Sequence, residues 1–282
     1  MQLSDFFGSS KKRESDSTDT LPSDNSDLAK PLEQIYEQQL EEGLREYQRS
    51  PRGLFFSALL AGLELGFSLY FMGVVHELMK STLNVGSLQI ATSIAYPLGF
   101  IFVILGKSEL FTEHTTLSVL PMLNGRKKPG DLIRIWGTIY FGNWLGGLLM
   151  AILLVVVCAS KGIISLETFE EIGLHFVDYS NPVIFGSAVL AGWLMGLVSW
   201  LVTSAQDTIS RIVIIFLVTT VIGLGRLHHC VVGSIELIAG IISSDELGIT
   251  DYVRVQLFAT LGNIVGGVGF VALIKYKATS ES

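Results

Sequence analysis

Gly223-Leu-Gly-Arg-Leu-His-His-Cys-Val-Val-Gly-Ser234 lies inside an apolar run, residues 212–242, that is otherwise long enough to cross a bilayer. An arginine and two histidines at membrane depth each cost a few kcal/mol, so such groups face a protein-lined cavity rather than lipid. Two glycines beside them point to a break in the helix. Broken backbone is tolerated at this depth only where it is buried or lines a polar path. The stretch reads as the centre of a transport pathway, with His229 as its main polar group.

The rest of the composition agrees with a membrane setting. The chain has 282 residues, of which 49% are hydrophobic and 16% charged, with 29 glycines. Its mean hydropathy is +0.52. Soluble domains carry about 25% charged residues. The formal net charge of -7 is uneven, since residues 1–52 hold eleven acidic and seven basic side chains. No basic surface suited to nucleic acid is present, and no cofactor motif is found. Cys158 and Cys230 lie in apolar runs and read as small core residues. The N-terminus has no apolar core of the signal-peptide kind.

In chain order, residues 1–27 are polar and read as a disordered cytoplasmic tail. Residues 28–50 hold an amphipathic cytoplasmic helix, with Leu32, Ile35, Tyr36, Leu40 and Leu44 on one face, Asp27 as its cap and Pro31 in its first turn. Residues 51–276 form the membrane domain. It contains six predicted spans: 53–75, 88–123 (interrupted), 132–158, 182–203, 211–242 (interrupted) and 253–275. Residues 277–282 are a second cytoplasmic tail. Arg45, Arg49, Arg52, Arg126, Lys127, Lys128, Arg134, Lys275 and Lys277 fall on one side, whereas few basic residues fall on the other. The positive-inside rule then puts both termini in the cytoplasm of a plasma-type (inner) membrane.

An internal repeat fixes the architecture. Ser57-Ala-Leu-Leu-Ala-Gly62-Leu-Glu-Leu-Gly66 recurs as Ser187-Ala-Val-Leu-Ala-Gly192-Trp-Leu-Met-Gly196. Gly142-Asn143-Trp-Leu-Gly146-Gly147 recurs as Gly262-Asn263-Ile-Val-Gly266-Gly267 at a similar offset. Three spans per half force the second half to enter from the opposite side, so the fold class is all-α with an inverted 3+3 repeat. The glycine pairs allow close helix contact and are read first as packing residues. Spans two and five occupy matching places, and both are broken, the former at Gly106-Lys-Ser-Glu-Leu-Phe-Thr-Glu-His114. Paired breaks mark a substrate site. Freed N–H groups suit an anion and freed carbonyls a cation, so the break alone leaves the sign open.

At this level of detail the residues resemble a known family. Glu109-Leu-Phe-Thr112, Tyr140-Phe-Gly-Asn143 followed by Gly146, His229-Cys-Val231 and Gly262-Asn-Ile-Val-Gly-Gly267 look like the signatures of formate/nitrite transporters, in order and spacing over roughly residues 50–276. The resemblance implies an aquaporin-like six-helix protomer, a homopentamer with one pore per protomer, and small monovalent anions of weak acids as substrates. It makes His229 the central histidine and Thr112 the loop threonine near it. Leu110 and Phe111 match the cytoplasmic constriction, and Phe100 and Ile222 the outer one. The chain departs from the pattern at His228, where the family usually has Glu, and at Gly233 and Gly196, where it has Asn. The lysine expected before span four is also missing.

A bare anion in a dry constriction needs either a positive charge or a proton, and histidine is suited to supply both. The expected mechanism is entry of the anion, a meeting with His229 held by Thr112, and passage as the neutral acid. The proton comes either by relay through His229 or directly from vestibule water. His228 is open between a second proton site and a packing role. Arg226 either supplies positive charge or pairs with Glu109, Glu113 or Glu64, the pairing being preferred because an unpaired buried charge is costly. Lys107 is a second candidate for the absent lysine. No nucleophile–base pair or zinc helix is found, which argues against an enzyme. The competing reading is a gated or non-conducting family member acting as a sensor, with helix 28–48 as a plug.

Overall fold

In the computed structural model, which describes residues 29–280, the chain is helical, and no strand occurs among those residues. The order is α1 (Leu32–Glu46), α2 (Pro51–Met79), α3 (Val85–Ala95), α4 (Pro97–Gly106), α5 (Phe111–Leu117), α6 (Leu120–Leu123), α7 (Pro129–Lys161), α8 (Leu166–Leu174), α9 (Asn181–Ser204), α10 (Thr208–Leu224), α11 (Val232–Ser243) and α12 (Ile249–Ile264). A π-helical stretch, Val265–Leu273, then leads into α13 (Ile274–Ser280). Five segments are long and apolar enough to cross a membrane: Pro51–Met79, Val85–Gly106, Pro129–Lys161, Asn181–Ser204 and Ile249–Ser280. The remaining expected crossing is divided between the shorter apolar helices α10 and α11. The chain is a multi-pass membrane protein.

The two halves pack by the same device. In the first half α2 lies along α7, and in the second α9 lies along α12. A Cβ on Gly142 would come within 2.6 Å of the Ala58 methyl, and one on Gly262 within 2.5 Å of the Ala188 methyl. Gly62 and Gly192 are pressed in the same way against the backbones of Asn143 and Asn263. With no hydrophobic force between helices in lipid, this closeness is what dispersion and backbone contact require. Packing is therefore the role of these glycines. Gly196 belongs with them, because a Cβ there would meet Val271 at 2.6 Å and Thr116 at 2.8 Å.

Three boundaries differ from the sequence reading. The first helix begins at Leu32, with Pro31 extended at its boundary (φ -57°, ψ 155°) rather than inside its first turn, and Asp27 and the rest of the expected tail lie outside the described residues. Its apolar face, with Ile35, Tyr36 and Leu40, packs against α5, α6, α9 and α13. At the other end the helix runs to Ser280 through the segment expected to be a tail from residue 277. The third difference is α8, which falls between two apolar runs where no helix is expected. Its Ser165 side chain accepts from the Thr168 amide at 3.2 Å, and Phe169 and Ile172 are buried in the core that α8 shares with α11. Nine residues are too few to hold a helix alone, however amphipathic, and contact with α11 decides their state.

Candidate functional site

Each break ends its first half-helix in the same way. Gly106-Lys107 closes α4 and Gly225-Arg226 closes α10. Lys107 (φ 59°) and Arg226 (φ 46°) are the non-glycine residues with positive φ among the described residues. Left-handed backbone at a non-glycine residue costs roughly 1–2 kcal/mol. Here it lets the Ser108 and Leu227 amides turn back to the Val103 and Ile222 carbonyls, both at 3.0 Å. A basic side chain beside the exposed carbonyls of a helix C-terminus is also electrostatically favourable.

Two asparagines then hold the broken segments. Asn143 accepts from the Phe111 amide at 2.8 Å and donates to the Ala58 and Glu109 carbonyls, each at 2.8 Å. Asn263 accepts from the Cys230 amide at 2.8 Å and donates to the Ala188 carbonyl at 2.8 Å and the His228 carbonyl at 3.0 Å. Equivalent residues of the two repeats thus satisfy equivalent orphan backbone groups, which lipid cannot do. The sequence reading places both asparagines inside glycine motifs and misses this work. Their recurrence in both motifs is the signal that identifies them.

The side chains on this common backbone diverge. His229 is 1% exposed. Its Nδ1 accepts the Val231 amide at 3.3 Å and the Val232 amide at 3.2 Å, so the ring caps the start of α11. Two N–H donors on Nδ1 leave no place for a proton there. The ring is the neutral tautomer with its proton on Nε2, donated to Thr112 Oγ1 at 2.9 Å. Phe100 stands edge-on to the imidazole, with ring centroids 5.3 Å apart. Leu110, the residue matching His229 in the first break, is fully buried. Phe111 is buried against Trp136 and Tyr140, with centroids 5.9 Å and 4.9 Å away.

On the side opposite α1 lies a cavity of ≈ 500 Å³, lined by α2, α3, α8, the loop after α8 and the end of α10. Its walls include His76, Lys80, Gln89, Thr92, Glu171, His175, Asp178 and Arg226, and its floor Tyr96, Ile222 and Glu236. Tyr96 rather than Phe100 joins Ile222 in facing this space. The two rings follow each other at 5.3 Å, one helical turn apart, which sets Phe100 deeper, against His229. Cavity, Tyr96 and Ile222, Phe100, then His229 with Thr112 form a continuous series from this mouth inward.

Arg226 belongs to the cavity and pairs with none of the three glutamates expected for it. Its Nη1 lies 3.1 Å from His175 Nδ1. The left-handed turn at Arg226 aims it outward, away from the first break. His175 is driven down to about 4, by burial first and by the Arg226 charge second, so it accepts as a neutral ring. Glu171 holds His76 at 2.8 Å. The His228 ring is bonded to Ser187 at 3.0 Å and to the Phe176 carbonyl at 3.2 Å.

The first break opens instead toward α1. Glu109 is paired there with Arg49 and with His114, and Arg49 also reaches Glu46 at 3.1 Å. Burial, then the neighbouring Glu109, raises Glu46 above the usual carboxylate range. Lys107 bonds Glu42 of α1 at 3.0 Å, so it stands at the α1 mouth and not in the cavity where the missing lysine would act. Tyr47 donates to the Ser118 carbonyl at 2.7 Å, and Gln39 to the Ser199 carbonyl at 3.0 Å. These contacts tie α1 over this end of the passage. Glu46, Glu109 and His114 are near enough to share an ion, but Arg49 already pairs with both carboxylates and His114 with Glu109.

Comparison with known proteins agrees with this architecture. The sequence profile described as Formate/nitrite transporter matches residues 33–277. Inner membrane protein YfdC of Escherichia coli K12 is 32% identical over 251 residues, covering 86% of this chain and 77% of that protein. The nitrite transporter NirC of Salmonella typhimurium is 24% identical, with 83% and 86% covered. Among solved structures, a pentameric formate channel with formate bound superposes with TM-score 0.69 at 21% identity, covering 82% of this chain and 98% of that one. An ion channel of the same family gives 0.74 at 22% identity, covering 88% and 98%. The broken-helix pair, its asparagine clamps and a profile match over nearly the whole membrane domain all say the same thing: the chain belongs to the formate/nitrite transporter family, whose members are channels and transporters rather than enzymes.

Proposed function

We propose that the protein is a channel for small monovalent weak-acid anions of the formate and nitrite kind, which cross its narrow part as the neutral acid. The observation that carries this reading is His229, a buried polar ring bonded to Thr112 of the other break and edge-on to Phe100, which follows Tyr96 of the cavity floor. Moving a bare carboxylate-sized ion into such a place costs about 20 kcal/mol in the idealised limit, which one neutral imidazole does not offset. A neutral acid escapes most of that cost and needs only hydrogen-bond partners. His229 Nε2–H and the Thr112 hydroxyl supply a donor and an acceptor at the tightest point. Because Nδ1 is occupied by two amides, a relay through both ring nitrogens would break the cap on α11. Proton uptake in the outer cavity is therefore favoured over relay through the ring.

Arg226 is the fixed positive charge that draws the anion into the cavity, in place of the family's lysine. By the positive-inside rule the α1 face is cytoplasmic, with both termini there, in a plasma-type membrane. Likeness to a pentameric formate channel supports a homopentamer with one pore per protomer. The test is formate flux into proteoliposomes at two external pH values. Wild type is expected to run faster at the lower pH. His229→Asn keeps an acceptor for the α11 amides and a donor for substrate, and is expected to retain part of the flux. His229→Leu removes both and is expected to lower flux roughly 10–10²-fold, the cost of about 1–3 kcal/mol for passing a buried polar group that has lost its hydrogen-bond partner. Equal flux in all three removes the histidine from the mechanism.

A second reading, a gated or sensing member, is favoured by one observation. Arg49 of the segment after α1 is bonded to Glu109 in the broken helix itself. Arg49→Ala is expected to raise flux if α1 is a plug, and to leave it unchanged if α1 is only a structural cover.

A further inference from the structure

Glu236 is a carboxyl group that the pathway described so far leaves without a task. It sits in the second turn of α11, outward from the His229 cap, and is 2% exposed. No side-chain or backbone group of the described residues hydrogen-bonds or ion-pairs its carboxylate, yet it lines the floor of the ≈ 500 Å³ cavity beside Tyr96 and Ile222. Glu109 and Glu46, also buried, are paired with Arg49 and, for Glu109, His114; Glu64 of α2 likewise keeps a buried carboxylate oxygen without a hydrogen-bond partner, but it stands beside Gly106 at the first break and not on this cavity. An unpartnered, buried and ionisable group at membrane depth that faces the route is costly to keep unless it is used.

We propose that Glu236 is the proton-exchange residue of the passage, giving its carboxyl proton to a weak-acid anion just before that anion passes Phe100. This rests on the reading of the passage as a route for weak acids. The step balances without any co-reactant. The Glu236 O–H bond breaks, an O–H bond forms on an oxygen of the anion, and a neutral acid and a Glu236 carboxylate result. The carboxylate then recovers a proton from hydronium in the cavity. Both proton partners are carboxylates in the same water-poor surroundings, which penalise either ionised form and so allow transfer in both directions.

The charges facing this group place the step. From α2, His76 is tied to Glu171 of α8, and Lys80 to both Glu77 and Glu167, so the rim carries more acidic than basic side chains. Asp178 lies on the loop after α8, and Tyr96 lines the floor together with Glu236. Arg226, with neutral His175, is the cation that holds the anion within the cavity. An ionised Glu236 below it rejects a second bare anion, so exchange of the proton and selection of the neutral form are the same event.

The experiment uses the full chain in liposomes, with protein-free vesicles subtracted, and compares wild type, Glu236→Gln and Glu236→Asp. Formate and methylammonium are the probes, and pH-difference infrared spectroscopy reads the carboxyl band. Glu236→Gln matches the residue in size, and its assembly is checked by size-exclusion chromatography. Expected are a formate flux lower by roughly 10², the lower end for a lost proton donor, and a flattened pH profile. Glu236→Asp, which keeps the proton, is expected to restore the pH dependence, and the glutamine variant to lose one titrating carboxyl band. Formate flux and pH profile equal in wild type and Glu236→Gln overturn the assignment and leave the weak-acid reading standing. No formate flux in wild type, with the band still titrating, refutes the weak-acid reading while supporting proton exchange at Glu236. Methylammonium flux that Glu236→Gln abolishes overturns the assignment in favour of a cation station.

Discussion

The two broken helices share a backbone and differ in what they do with it. Both close on a glycine followed by a left-handed basic residue, and both are held by an asparagine that satisfies one amide and two carbonyls. Leu110 then stands where His229 stands, and Glu109 where His228 does. The first break is bound into ion pairs with α1 and closed by apolar side chains, whereas the second carries a capped imidazole toward an open cavity. Symmetry fixes the scaffold, and its breaking in a few side chains leaves one mouth covered by ion pairs with α1 and the other facing a cavity.

The strongest way to break this comparison is to cut the scaffold. Asn143→Ala and Asn263→Ala each leave one buried amide and one buried carbonyl of a break without a partner, at about 1–3 kcal/mol apiece. Both are expected to lower thermal stability in detergent by comparable amounts, about 2 kcal/mol or more. A large loss in one and none in the other would show that the breaks are not equivalent.

The next effect separates the mouths. Arg226→Ala is expected to weaken anion entry roughly tenfold, raising the formate concentration for half-maximal flux, since a charged hydrogen bond is worth about 1.5–3 kcal/mol. Lys107→Ala, which loses only an exposed pair with Glu42, is expected to leave that concentration unchanged. The reverse ranking would move the anion-capturing site to the α1 side.

A smaller effect sharpens the entrance. His175 falls from 6.5 to about 4 on folding, so the folded state resists the protonation that the unfolded chain accepts. Stability from this site is unaffected above the ordinary histidine range and declines as pH drops from there to about 4. His175→Gln is expected to flatten this acid-side decline in thermal unfolding while the pH profile of formate flux keeps its shape. A shifted flux profile would mean that the cavity's histidine, and not its floor, sets proton access.

How much of this can be read from residues alone follows the same division. The spans are legible because lipid demands unbroken apolar length, and the breaks because glycine and charge interrupt it. The repeat is legible in Gly142-Asn143 and Gly262-Asn263, although the clamp itself needs coordinates. The partners of long side chains are not legible: Arg226 goes to His175 and Lys107 to Glu42, choices made by which helix passes within reach. The order of Tyr96 and Phe100 along the route depends on helix phase at Pro97, which no spacing rule fixes. Glu236 is visible as a lone acid in an apolar run, but only the cavity beside it gives it meaning.

The central claim is that the acid crosses the narrow part with its proton. Proteoliposomes loaded with a pH dye and given labelled formate measure both species at once. The account predicts one proton entering per formate, with no net charge moved at any membrane potential. Formate entry that shifts the potential and leaves the internal pH unchanged would contradict it.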